Sequence, residues 1–133
     1  MTAEELIQTA LALKGEMPET TDDYRGYALR ALNIILAEML PLENQTRYAK
    51  GEAELSAAPE LSAFSDDVPY DAQLVKTCGA YGLAAKLTIE DNNAPMFNYL
   101  NQMYAQAFTE GTPGKNRTDL RQRLGGLACG LPE

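Results

Sequence analysis

The stretch "CGAYGLAAKL", residues 78–87, sits in the middle of the chain and decides how the rest is read. Gly79, Ala80, Gly82, Ala84 and Ala85 are all small, and Tyr81 is the one aromatic among them. Each glycine costs a helix roughly 1 kcal/mol relative to alanine. Yet the surrounding residues are patterned as a helix: Leu74, Val75, Cys78, Tyr81, Gly82, Ala85 and Ile89 fall near one face, with Leu83 and Leu87 beside it. Small residues let neighbouring helix backbones approach toward the lower end of the ~8–10 Å interaxial range. Gly79, Tyr81, Gly82 and Ala85 are therefore read as packing residues of a central helix, thinned so that flanking helices close on it.

Working outward, Asp71 is the expected cap of this helix, and "DNNAP" ends it, with Asn93 a capping residue and Pro95 suited to a first turn. A further helix follows, in which Met96, Phe97, Leu100, Met103, Tyr104, Ala107 and Phe108 form a wide apolar stripe. Toward the N-terminus, Thr2 with Glu5 forms a capping box, Leu6, Ile7, Ala10, Leu11 and Leu13 make a stripe, and Gly15 is the stop. A second helix is expected from Thr21 to about Leu40, with Tyr24, Ala28, Ala31, Leu32, Ile35 and Met39 on one face and Pro41 as its end. The fold class is mainly α: one four-helix bundle-like domain over 1–133, with residues 41–69 an extended connector arm and 112–133 a C-terminal extension.

Within the connector, "TRYA" and "LSAF" are short pieces of strand composition, and Leu55, Leu61, Phe64 and Tyr70 require it to pack on something, the domain itself or a neighbouring subunit. Deleting part of residues 43–60 is expected to leave a folded helical protein but impair assembly, whereas a collapse of thermal stability would make the arm part of the chain's own core.

Composition bounds the function. The chain has 133 residues, 45% of them hydrophobic, and no apolar run of the ~20 residues a membrane span needs. The N-terminus lacks a basic segment ahead of its apolar residues, so it is not expected to be a signal peptide. Net charge is −8, unevenly placed: residues 1–111 hold seven basic and seventeen acidic side chains. Residues 112–133 hold Lys115, Arg117, Arg121 and Arg123 against Asp119 and Glu133. An acidic body repels a phosphate backbone, so sequence-specific nucleic-acid binding is not expected. An acidic body with a basic tail suits head-to-tail contact between copies, weighed against the blander reading of solvated charge.

Chemistry is scarce. There is no histidine, and Cys78 and Cys129 read as reduced thiols rather than a disulfide or zinc pair. No phosphate-binding glycine motif is present. The pairs Asp22–Asp23, Asp66–Asp67 and Glu90–Asp91 lie at helix boundaries: capping and dipole complementation explain the first and help explain the second, and Glu90–Asp91 reads as a helix end in water. The aromatics of residues 97–108 are read as core in preference to a base-stacking platform. No catalytic residue, cofactor or metal site is expected, and the chain is read as no enzyme.

The order of these segments resembles the head–tail connector (adaptor, head-completion) proteins of tailed bacteriophages and prophages. The resemblance rests on "DDVP" at Asp66–Pro69, "YGLAAKL" at Tyr81–Leu87, the acidic, Asn-rich turn at Glu90–Asn93, and "FNYLNQMYAQA" at Phe97–Ala107, where aromatic and alanine spacing departs slightly from the family's. It implies a virion structural protein, assembled in the bacterial cytoplasm, that forms a ring with itself below the portal and contacts portal, tail or head-completion proteins. On that reading Arg47, Tyr48, Leu61, Phe64, Lys115, Arg117, Arg121 and Arg123 are candidate intersubunit contacts. The strongly acidic body and short basic extension fit a tail-completion or minor head protein as well. The alternative is a small helical protein-binding or regulatory module of bacterial or prophage origin, using the aromatic face of residues 96–108 as its groove.

Overall fold

The computed structural model describes residues 1–16 and 21–110. The described residues form four helices: α1 (Ala3–Leu13), α2 (Thr21–Lys50), α3 (residues 72–88) and α4 (Ala94–Glu110). The fold is mainly α, as the sequence indicates, and no strand occurs among the described residues. The strand-like pieces of the connector resolve otherwise: Thr46–Ala49 is helical, 61–64 is irregular, and a single antiparallel bridge joins Thr2 to Asp67.

α1 forms as its sequence dictates. Thr2 Oγ1 accepts from Glu5 N–H at 3.2 Å, and Glu5 Oε1 accepts from Thr2 N–H at 2.9 Å. Ala3, Leu6, Ile7, Ala10 and Leu11 are all buried, the 3–4 spacing of one helix face. The helix closes on Gly15 at φ +83°, with Gly15 N–H donating to Ala12 C=O and Glu16 N–H to Leu11 C=O. Those two bonds satisfy carbonyls that a helix end otherwise orphans.

α2 departs from expectation at Pro41. The helix passes through this proline and ends ten residues later at Gly51, φ +77°, with the same pair of closing bonds: Gly51 N–H to Tyr48 C=O and Glu52 N–H to Arg47 C=O. Proline removes the N–H that would bond Ala37 C=O, but both residues lie on the exposed side of the helix, where an unpaired carbonyl costs little. The core face continues across it, with Met39, Leu42 and Glu43 all buried. Burial of that face offsets the proline's cost, typically ~3 kcal/mol in a helix interior. The connector therefore begins at residue 51, and Arg47 and Tyr48 are helical residues.

α3 is the central element, lying against α1, α2 and α4. Asp71 caps it, accepting from Leu74 N–H at 3.1 Å. Residues Val75–Gly79 form a π turn, after which α-helical geometry runs over Ala80–Thr88. Ala80, Gly82, Leu83, Ala84, Ala85, Leu87 and Thr88 are all buried, and Tyr81 is half-buried at the core margin. A Cβ on Gly82 would sit 2.7 Å from Tyr104 Cε1 of α4 and 2.8 Å from Ile35 Cδ1 of α2, so both flanking helices do close on this residue. Gly79 differs: its nearest neighbour would be Met39 Sδ at 3.5 Å, ordinary contact. A 3₁₀ turn (Ile89–Asp91) leads to Asn92 at φ 54°, and Asn93 Oδ1 caps α4 through Met96 N–H at 3.2 Å.

Candidate interaction surface

The connector is held along α2 by two asparagines. Asn33 Nδ2 donates to Leu61 C=O at 3.0 Å while its Oδ1 accepts from Leu61 N–H at 2.9 Å. Asn44 does the same for Leu55, at 3.0 and 2.7 Å. Eleven helical residues rise about 16 Å and six extended residues cover about 20 Å, so the connector runs antiparallel to α2 in a nearly extended state. Each side-chain amide thus replaces the peptide partner a strand would have supplied.

Glu43 and Arg47 clamp the ends. Glu43 is 3% exposed; its Oε2 accepts from Arg47 Nε at 2.7 Å and its Oε1 from Asp71 N–H at 2.8 Å. Arg47 also donates to Ala53 C=O at 3.2 Å and Pro69 C=O at 3.0 Å. Lys50 pairs with Asp71 at 2.6 Å, and this bond holds the Asp71 carboxyl below its usual range and raises the Lys50 ammonium. Tyr70 donates to Leu36 C=O, and burial pushes its phenol up to about 12. Farther along, Ala3 and Glu4 N–H, free donors at the start of α1, bond Asp66 and Phe64 C=O, each at 2.9 Å.

Three of the connector-region contact candidates are consequently used inside the chain. Arg47 is the clamp, Leu61 is 8% exposed in the core, and Phe64 is half-buried beneath the Arg25 guanidinium at 4.1 Å. Tyr48 alone of the four stays open, 77% exposed. Lys115, Arg117, Arg121 and Arg123 lie outside the described residues, as does Cys129.

One polar cluster was not anticipated. Lys14, with its side chain 2% exposed, donates from Nζ to Tyr24 Oη at 2.7 Å and pairs with Asp91. Tyr24 Oη also lies 3.4 Å from Glu16 Oε2. Burial, then the Asp91 and Glu16 charges, push this phenol well above its ordinary value, so it stays protonated. The cluster ties the end of α1 to the start of α2 and the end of α3. Its signal in the sequence is a lysine directly before the glycine that ends an amphipathic helix. Among the described residues no group of three or more ligating side chains could hold a metal. Cys78 is buried and its thiol is pushed up to about 12 by desolvation, then by Glu38. A shallow cavity of about 260 Å³ is lined by Thr88, Ile89, Asn92, Asn93, Ala94 and Phe97, with no titratable group.

The surface itself offers contact. Ile34, Tyr48, Ile89 and Tyr99 are large hydrophobic residues that are 52%, 77%, 62% and 53% exposed. Ile34 and Tyr48 share the outer face of α2, with exposed Ala37, Pro41 and Gln45 between them. The α4 stripe is turned inward: Leu100 is fully buried, and Met96, Phe97, Tyr104 and Phe108 pack against the core. Tyr104 donates to Glu38 at 2.8 Å, beside the Lys86–Glu38 pair. No protein-family model, no curated protein and no solved structure matches this chain.

Proposed function

We propose that this chain is a structural assembly protein of a tailed bacteriophage or prophage, a head–tail connector that oligomerises below the portal. The observation that carries the reading is the outer face of α2, where Ile34 and Tyr48 stay exposed on a helix whose other sides are packed. Large apolar side chains on one rigid face favour contact with a partner. The connector family named above supplies the kind of partner: copies of the same chain, the portal, and tail or head-completion proteins. The chain acts through shape and contact, and neither substrate nor cofactor enters the reading. The competing regulatory-module reading uses the aromatic face of α4 as its groove, and much of that face is packed on α3.

The test is mass spectrometry of purified tailed particles from the strain that encodes the chain. It is expected in the particles at a fixed ratio to the portal protein. Its absence from particles, together with recovery in a complex with a cytosolic regulator, would overturn the proposal in favour of the regulatory module.

A further inference from the structure

We infer that the outer face of α2, from Ile34 to Tyr48, receives the C-terminal segment, residues 112–133, of a second copy of this chain; the inference rests on the assembly reading above. The face is a helix side on which no element of the described residues lies. Ile34, Ala37, Pro41, Gln45 and Tyr48 recur at steps of three and four and are all exposed, a stripe about 21 Å long. The connector borders it on one side through Asn33 and Asn44, and α4 borders it on the other through the Tyr104–Glu38 bond.

The borders are acidic. Glu60 and Glu54 each sit one residue before the leucines that Asn33 and Asn44 hold. Both are exposed and neither has an ion pair among the described residues. Glu38 on the opposite border has a 40% exposed side chain, shared with Lys86. Arg30 is the cation of this face and lies beyond its Ile34 end.

Residues 112–133 are complementary to such a strip. They carry Lys115, Arg117, Arg121 and Arg123 against two acids, while Leu120, Leu124 and Leu127 recur at helical spacing. Leucines suit the Ile34–Tyr48 stripe, and the cations suit its glutamate borders. The 23 residues beyond Glu110 reach about 75 Å when extended, against about 45 Å for the whole of α2, so the segment is long enough to leave its own domain. Donor and acceptor are different surfaces of one molecule, so the contact repeats from copy to copy and closes a ring when the rotation allows.

A mixing experiment with the full chain tests this. The donor variant carries Arg117→Glu, Arg121→Glu and Arg123→Glu; the acceptor variant carries Ile34→Glu and Tyr48→Glu, both at exposed positions. Thermal melts establish that each is folded. By sedimentation velocity at low salt, each variant alone is expected to be monomeric, while an equimolar mixture forms a 1:1 dimer and nothing larger, because one intact contact remains. A fluorescein-labelled peptide of residues 112–133 is expected to bind the donor variant, with at least tenfold weaker binding to the acceptor variant and loss at high salt. A mixture that stays monomeric while the peptide binds neither variant overturns the inference. Peptide binding with no dimer in the mixture overturns the second-copy assignment, since the segment then covers its own face. Rings formed equally by wild type and both variants overturn the inference but leave the assembly reading standing.

Discussion

Replacing Gly82 by leucine probes the centre of the fold. At this position a Cβ already falls 2.7 Å from Tyr104 Cε1 and 2.8 Å from Ile35 Cδ1, closer than packed carbons come. The Ile35 methyl is the free end of a side chain and yields cheaply. The Tyr104 ring does not, because its hydroxyl is tied to Glu38 at 2.8 Å. Accommodating the leucine therefore displaces α4 or breaks that bond. Overpacking of this kind costs about 1–3 kcal/mol, and loss of a hydrogen bond to a carboxylate adds about 1.5. Better helix propensity returns roughly 1 kcal/mol. The net expectation is a loss of about 1.5–3.5 kcal/mol, a fall in Tm of roughly 5–14 °C for a domain of this size. Gly79→Ala is the control: with 3.5 Å to its nearest neighbour, the added methyl fits, and the variant is expected to match wild type or exceed it by up to about 1 kcal/mol. The assay is urea unfolding followed by circular dichroism, with m-values compared to confirm an unchanged denatured state. A Gly82→Leu protein within 0.5 kcal/mol of wild type, or a Gly79→Ala protein the less stable of the two, would refute the packing assigned to α3.

Other expectations follow from the connector and its clamp. Asn33→Ala and Asn44→Ala each remove two hydrogen bonds to the connector backbone, costing about 1–3 kcal/mol; a glutamate-specific protease is expected to cut at Glu54 and Glu60 several-fold faster in both, and unchanged cleavage would contradict the docking. Arg47→Ala leaves Glu43 buried without its cation and is expected to cost about 3 kcal/mol by urea titration, far more than an exposed pair would. Asp71 has a folded pKa below its unfolded value, so its contribution is present above about pH 4 and is lost as pH falls through the folded pKa. Lys50→Gln is therefore expected to reduce stability at pH 7 and to flatten the acid limb of the stability–pH curve, and an unchanged limb would count against the pair. In a Cys129→Ser background, Cys78 is expected to react with a disulfide reagent only as fast as the protein opens; rapid labelling of the native state would mean that α3 is not central.

The legible part of the fold was the part written in local pattern. α1, with its Thr2–Glu5 box and Gly15 stop, and α4, with its Asn93 cap, follow from residues within a few positions of one another. Gly82 could be read as a close-packing point because two glycines in an apolar helix need an offset. Its partners Ile35 and Tyr104 could not, since they lie 47 residues upstream and 22 downstream. Pro41 misled because proline's local cost is visible in sequence, whereas the burial of Leu42 and Glu43 beyond it is tertiary. The Gly51 stop, preceded by Arg47 and Lys50, was the better signal for the end of α2. The connector was hardest. Asn33 and Asn44 look like ordinary exposed helix residues until their eleven-residue spacing is matched to Leu55 and Leu61. Glu43, Asn44 and Arg47 proved to hold the connector on the chain's own fold, so deleting part of residues 43–60 is now expected to unfold the domain rather than leave it intact. On the surface, nothing local marks Ile34 as exposed, since it sits in sequence among Leu32, Ile35 and Leu36, which are buried.

The most direct measurement of the assembly role is electron microscopy of lysates from a phage or prophage whose copy carries Ile34→Glu and Tyr48→Glu. The variant protein, recovered folded, is expected to leave filled heads and free tails unjoined. Normal numbers of tailed particles would contradict the role given to this face.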